Sequence, residues 1–119
     1  MTDVHGQVVW ITGATAGMGR AMALEFARRG ADVALSGRRE DRLAEVAREV
    51  EALGRRALAV PCDVRREDEV AAAVAKVVEV FGRLDVAVAN AGFGVAGRVE
   101  SLSAEDWRRQ FDTNFFGAV

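Results

Sequence analysis

The sequence predicts an α/β domain, in which a parallel sheet carries helices on both of its faces. Three observations predict it. Short β-branched apolar runs alternate with segments of helical period, and the runs feed loops rich in glycine or charge. The fourth run, Leu84 to Ala89, is also continuous enough in apolar character to suit a strand covered on both faces. At 119 residues the chain suits one domain, residues 1–119, with little room for a second.

Val8 to Ile11 is the first strand, and a glycine loop follows it directly. Met18 to Arg29 then sets Met22, Leu24, Phe26 and Ala27 among good helix formers and stops at Gly30. Asp32 to Ser36 is the second strand. Leu43, Val46, Ala47, Val50 and Leu53 recur at three- and four-residue intervals before Gly54, which predicts the second helix. "RALAVPCD" supplies a third strand ending near Pro61. Val70, Val74, Val77, Val78 and Phe81 line one face of a third helix, stopped by Gly82.

Leu84 to Ala89 is the fourth strand, and crossovers of this length make all four parallel with right-handed connections. The glycines from Gly92 to Gly97 predict a loop. From Ser103 a last helix is expected, capped by the Ser103 hydroxyl with Asp106 in the capping-box position. It carries Trp107, Phe111, Phe115 and Phe116, which do not fit one narrow stripe, so they are expected chiefly to pack on the sheet, with a neighbouring subunit as the alternative for some. Strand four is expected either to be an exposed edge or to be covered by something outside these residues.

Composition narrows the function. Sixteen basic and 18 acidic residues give a formal charge of -2, and no basic run exceeds two residues, which argues against nucleic acid. The N-terminus "MTDVHGQ" is polar, and no apolar stretch approaches the roughly 20 residues a membrane span needs. No membrane partner and a cytoplasmic location are therefore expected. Cys62 is the only cysteine, reads as a packing residue at a strand end, and belongs to no cysteine–histidine cluster that suggests a metal. There is no tyrosine, and the single lysine, Lys76, falls on the exposed side of helix three. His5, before strand one, reads as a turn residue.

The glycine loop "ITGATAGMGR" carries the first chemical signal. Gly13, Gly17 and Gly19 permit backbone angles closed to other residues and allow close approach to the chain, by a ligand or by another helix. If Gly17 to Gly19 open the first helix, its free N–H groups and positive dipole end suit a pyrophosphate. The loop is not that of a nucleotide triphosphatase, since Arg20 follows Gly19, and its spacing differs from Gly-x-Gly-x-x-Gly.

The other strand ends add to it. Gly37, Arg38 and Arg39 stand after strand two, where a carboxylate would bind a ribose hydroxyl; guanidinium groups there favour a phosphorylated ribose, or else simply face solvent. Asp32 sits at the wrong end of its strand for the ribose role. Asp63, after strand three, is placed to accept from an adenine amino group beside the Val64 backbone while also tying down its own loop. Asn90, Ala91 and Gly92 follow strand four on the same edge, as ribose neighbours or as a structural turn.

Taken together, Thr12-Gly13-x-x-x-Gly17-x-Gly19, Gly37-Arg38-Arg39, Cys62-Asp63-Val64, Asn90-Ala91-Gly92 and Asn114 resemble the short-chain dehydrogenase/reductase family in order and spacing. The resemblance implies a Rossmann-like, doubly wound dinucleotide-binding domain. It implies a cofactor loop of Gly13, Thr15, Ala16, Gly17, Met18 and Gly19, with Arg38, and Arg39 beside it, favouring NADP. By the same resemblance Asp63 and Val64 border adenine and Asn90 to Gly92 lie along the nicotinamide-side ribose. NADP-using members often have a basic residue where Ala16 stands, so NAD remains the second candidate.

Asn114 resembles the family asparagine that positions a catalytic lysine through water. In the family a serine and a Tyr-x-x-x-Lys pair complete the site: the tyrosine transfers the proton, the lysine lowers its pKa, and the cofactor exchanges a hydride. None of these follows Asn114 here. The sequence is therefore expected to be the N-terminal half of an NADP-dependent oxidoreductase of alcohols or carbonyls, truncated after about four strands and a helix and inactive by itself. The other readings are a non-catalytic dinucleotide-binding module and a folding fragment. Family members imply a homo-oligomer.

Overall fold

The computed structural model describes residues 4–14, 17–89 and 95–98. Along them run β1 (Val8–Thr12), α1 (Gly17–Arg28), β2 (Asp32–Ser36), α2 (Glu40–Ala52), β3 (Ala57–Ala59), α3 (Glu67–Phe81), β4 (Val86–Ala89) and β5 (Val95–Arg98). The strands form one sheet in the order β3-β2-β1-β4-β5. The first four are parallel, with Val8 opposite Asp32, Val9 opposite Val86 and Val33 opposite Ala57. This register sets Thr12, Ser36 and Ala89 level with one another, so three strands end at a common C-terminal edge.

All five residues of β1 and of β2 are buried, and the two-residue period explains how. Val9, Ile11, Val33, Leu35, Val86 and Val88 point to one face, where they meet Phe26 of α1 and Leu43, Val46 and Val50 of α2. Val8, Trp10 and Ala34 point to the other, against Val70, Ala73, Val74 and Val77 of α3. Among the described residues, two helices thus cover one face and one helix covers the other, which is the doubly wound arrangement expected. Burying each of these Leu, Val or Phe side chains contributes about 1.5–3 kcal/mol of transfer free energy.

On the α3 face a polar chain crosses the sheet. Trp10 Nε1 donates to Ser36 Oγ (2.8 Å), whose own hydroxyl donates to the carbonyl of Val60 (2.7 Å). The buried serine is satisfied on both sides and links β1, β2 and the segment after β3.

The N-terminal edge of the sheet is tied by aspartates. Asp32 accepts from the Arg56 N–H (3.0 Å) and Arg56 Nε (3.3 Å) and pairs with Arg55 (3.1 Å). Asp85 accepts from the Val8 N–H and from Arg83 Nε and Nη2, each at 2.8 Å. His5 packs against Gly30, whose φ is +90° and where a Cβ would lie 2.5 Å from the imidazole. A side chain at position 30 would therefore be both strained and crowded.

Two elements differ from the sequence-based expectation. Val95–Arg98, expected within a loop, is a strand that pairs antiparallel with β4, Val86 opposite Arg98 and Ala89 opposite Val95. Strand four is therefore neither an open edge nor covered from outside these residues. Backbone pairing decides this strand, and glycine content did not reveal it. The regular part of β3 stops at Ala59, before Pro61, yet the ladder continues: Val60 N–H donates to Leu35 (2.8 Å) and Cys62 N–H to Gly37 (3.0 Å). Only alternate residues donate towards β2, so Pro61 takes the outward position where no donor is needed. The expected helix from Ser103, with Trp107, Phe111, Phe115 and Phe116, lies outside the described residues. Among the described residues no helix is long and apolar enough to cross a membrane.

Candidate functional site

The C-terminal edge collects what the glycine loop and the two following strand ends present. β1 leads into Gly13 at φ +64°, and α1 begins at Gly17 at φ +61°. Both angles are left-handed, the region that costs an L-residue about 1–2 kcal/mol. A Cβ at Gly17 would meet none of the described residues within 4 Å, so the left-handed backbone is what calls for glycine there. Met18 beside it is 66 % exposed, whereas Gly19 is buried in the first turn of α1. The first turn of α1 carries no acidic residue, which leaves the positive end of the helix uncompensated by a carboxylate. Arg20 in this turn is engaged elsewhere: its guanidinium makes two hydrogen bonds to Glu49 of α2.

Gly37 follows β2 and accepts the Cys62 N–H, which brings the segments after β2 and β3 side by side. The next residue on one segment is Arg38 and on the other Asp63. Arg38 is exposed and makes no hydrogen bond or ion pair among the described residues. Arg39 occupies the N-cap position of α2 and reaches its own carboxylate, Asp41, at 3.4 Å. The two arginines, equivalent in sequence, are thus distinguished by their partners.

Asp63 is bound to its own loop. Its Oδ1 accepts from the N–H and the Nε of Arg65, both at 3.0 Å, and its Oδ2 accepts from Arg65 Nη2 at 2.8 Å. The Asp63 N–H donates to Glu69 (3.0 Å) and its carbonyl accepts from Arg66 (3.0 Å). These hydrogen bonds from Arg65 hold the carboxyl well below the usual carboxylate range, and the Arg38 charge acts in the same direction. A carboxylate offers about four acceptor positions, and the described residues use three of them, which leaves one at Oδ2 for a further donor. Val64 is half-buried. Burial pushes the neighbouring Cys62 thiol up to about 11, with Glu69 and Asp63 adding to it, which suits packing and not nucleophilic chemistry.

Sequence reasoning gave Asp63 the task of tying down its loop but missed Arg65 as its partner, and it missed the Trp10–Ser36–Val60 chain. The first had a local signal, since an aspartate two residues before a backbone donor is the pattern of an Asx turn. The second joins residues 26 and 24 positions apart and had none. Of the residues singled out, Gly13, Gly17, Met18, Gly19, Arg38, Arg39, Asp63 and Val64 are described, whereas Thr15, Ala16, Asn90, Ala91, Gly92 and Asn114 lie outside the described residues.

This edge suits a dinucleotide in three respects: a left-handed glycine opening a helix, a guanidinium after β2 unpaired among the described residues, and a carboxylate acceptor after β3. Comparison with known proteins agrees. The short chain dehydrogenase family model matches residues 7–119. The chain belongs to the short-chain dehydrogenase family.

Among the relatives of this short-chain dehydrogenase domain is a 3beta-hydroxysteroid dehydrogenase of Mediterraneibacter gnavus, 42 % identical over 109 residues, covering 91 % of this chain and 40 % of that protein. A solved metagenomic short-chain oxidoreductase in complex with NADP is 39 % identical, with a TM-score of 0.72 over 79 % of this chain and 42 % of that one. A short chain dehydrogenase from Mycobacterium paratuberculosis, bound to NAD, is 38 % identical, with a TM-score of 0.70 over 78 % of this chain and 39 % of that one. The chain spans from 33 % to 51 % of the length of such curated relatives. Both cofactors occur among the similar structures, NADP in the one and NAD in the other.

Proposed function

We propose that residues 1–119 form the NADP-binding portion of an oxidoreductase that transfers a hydride between the cofactor and a small alcohol or carbonyl substrate. The observation that carries the cofactor choice is Arg38, exposed at the end of β2 with no ion-pair partner among the described residues. A guanidinium in that position attracts a 2′-phosphate, and a carboxylate would repel it. The similar structure with NADP supports this reading, and the one with NAD keeps the second cofactor as the competitor.

In this reading the loop from Gly13 through Thr15, Ala16, Gly17, Met18 and Gly19 approaches the pyrophosphate. Asp63 accepts from the adenine amino group beside Val64. Asn90, Ala91 and Gly92 line the second ribose, and Asn114 helps to position the catalytic groups. NADP supplies or takes up the hydride when bound. Residues 1–119 contain no tyrosine to move the substrate proton, so by themselves they bind cofactor without turnover. The absence of that residue type is also what favours the second reading, a dinucleotide-binding module without catalysis. We also propose a cytoplasmic location, from the polar N-terminus and the lack of a long apolar stretch in residues 1–119, and a homo-oligomer on family grounds.

Calorimetry of the chain with NADPH and NADH tests the assignment. NADPH should bind the more tightly, and Arg38→Ser should cost it about tenfold in affinity while leaving NADH within about twofold. Equal affinities, or a tighter NADH complex, would overturn the NADP assignment. Reduction of a ketone by residues 1–119 alone would overturn the expectation of no turnover.

A further inference from the structure

Arg38 has a potential partner within the chain. The Cys62 N–H bond to Gly37 sets Asp63 beside Arg38, and the charge of Arg38 already acts on the Asp63 carboxylate. Yet the carboxylate is turned to Arg65, which holds it through its N–H, Nε and Nη2 at 2.8–3.0 Å. Three of the roughly four acceptor positions of the carboxylate go to Arg65, so its orientation is set by Arg65 and not by Arg38. Arg39, the remaining cation of this segment, is occupied by Asp41.

We infer that Arg65 is a positioning residue for cofactor choice: by holding the Asp63 carboxylate, it keeps Arg38 unpaired and available to a 2′-phosphate. Arg65 itself need not touch the cofactor. Its backbone N–H and its side chain grip the same carboxylate, so the clamp is local and needs no distant element. Removal of the guanidinium leaves Asp63 only the backbone N–H of residue 65, and the carboxylate then turns to Arg38. The 2′-phosphate must then displace an internal carboxylate, whereas a ribose carrying only hydroxyl groups meets no such competition. The effect therefore falls on NADPH and not on NADH. It differs from the adenine role of Asp63, which both cofactors share.

This inference rests on the NADP reading, and the measurement is chosen to separate the two. Dissociation constants for NADPH and NADH are measured on the folded chain and on Arg65→Gln, Asp63→Asn and the double variant, and the NADH/NADPH ratio is compared. Arg65→Gln should lower the ratio by about three- to fivefold, as expected for an exposed ion pair. Adding Asp63→Asn removes the competing charge and should restore the ratio to within about twofold of the Asp63→Asn value. A ratio unmoved by Arg65→Gln, or lowered without recovery in the double variant, would overturn the inference while leaving the NADP reading intact. A wild-type chain that does not prefer NADPH would overturn both. Melting curves confirm that each variant is folded, and a merely structural role for Arg65 would not be rescued by neutralising Asp63.

Discussion

The two edges of the sheet use the same residue types to opposite ends. At the N-terminal edge, Asp32 and Asp85 are closed on Arg55, Arg56, Arg83 and backbone N–H groups, and they fasten neighbouring strands. At the C-terminal edge, among the described residues, the Asp63 carboxylate is fastened only to Arg65 of its own loop and Arg38 is unpaired, while Gly13 and Gly17 hold left-handed backbone. An aspartate among arginines thus serves as a tie where it links elements far apart in sequence. It serves a site where its bonds are local and leave a neighbouring charge free.

Substitutions at the two edges should separate stability from binding. Asp32→Ala should have the largest effect on stability, about 2–3 kcal/mol in denaturant unfolding, because it strands Arg55 and the Arg56 N–H in a part-buried position. It should leave the NADH/NADPH ratio unchanged; a change would break the division between the edges. Gly17→Val should cost less stability, about 1–2 kcal/mol for the left-handed backbone, yet weaken both cofactors by more than tenfold in calorimetry. Arg38→Asp should leave stability within about 0.5 kcal/mol and make NADH the tighter ligand.

The smallest effect belongs to Cys62. With its thiol pushed up to about 11, it should resist iodoacetamide at pH 8 in the folded chain and react fully after denaturation, as mass spectrometry would register. The sign for stability follows from the raised value. The contribution is present below the ordinary thiol range and is lost as pH rises from about 9 towards 11, because the unfolded chain then ionises first.

How much of this was legible depended on the range of the interaction. The periodicity of Leu43, Val46 and Val50 predicted the buried face of α2, and Asp32 to Ser36 is the strand read from its apolar run. Leu53, also counted with that face, is 40 % exposed, since it has passed the end of the helix. The glycine loop was legible because its chemistry is local backbone conformation. β5 was not, since Val95–Arg98 gains its strand from pairing with β4 and not from its own composition. Likewise the sequence showed two adjacent arginines after β2, while their different partners, Asp41 for one and none among the described residues for the other, depend on how the loop is turned.

The Trp10–Ser36–Val60 chain makes the middle of the sheet optically readable. Trp10 is 0 % exposed with its indole N–H hydrogen-bonded, so its fluorescence should be blue-shifted in the folded chain and move to the red when β1 and β2 part. With Trp107→Phe removing the second tryptophan, that single emitter reports strand separation in real time, without any cofactor added.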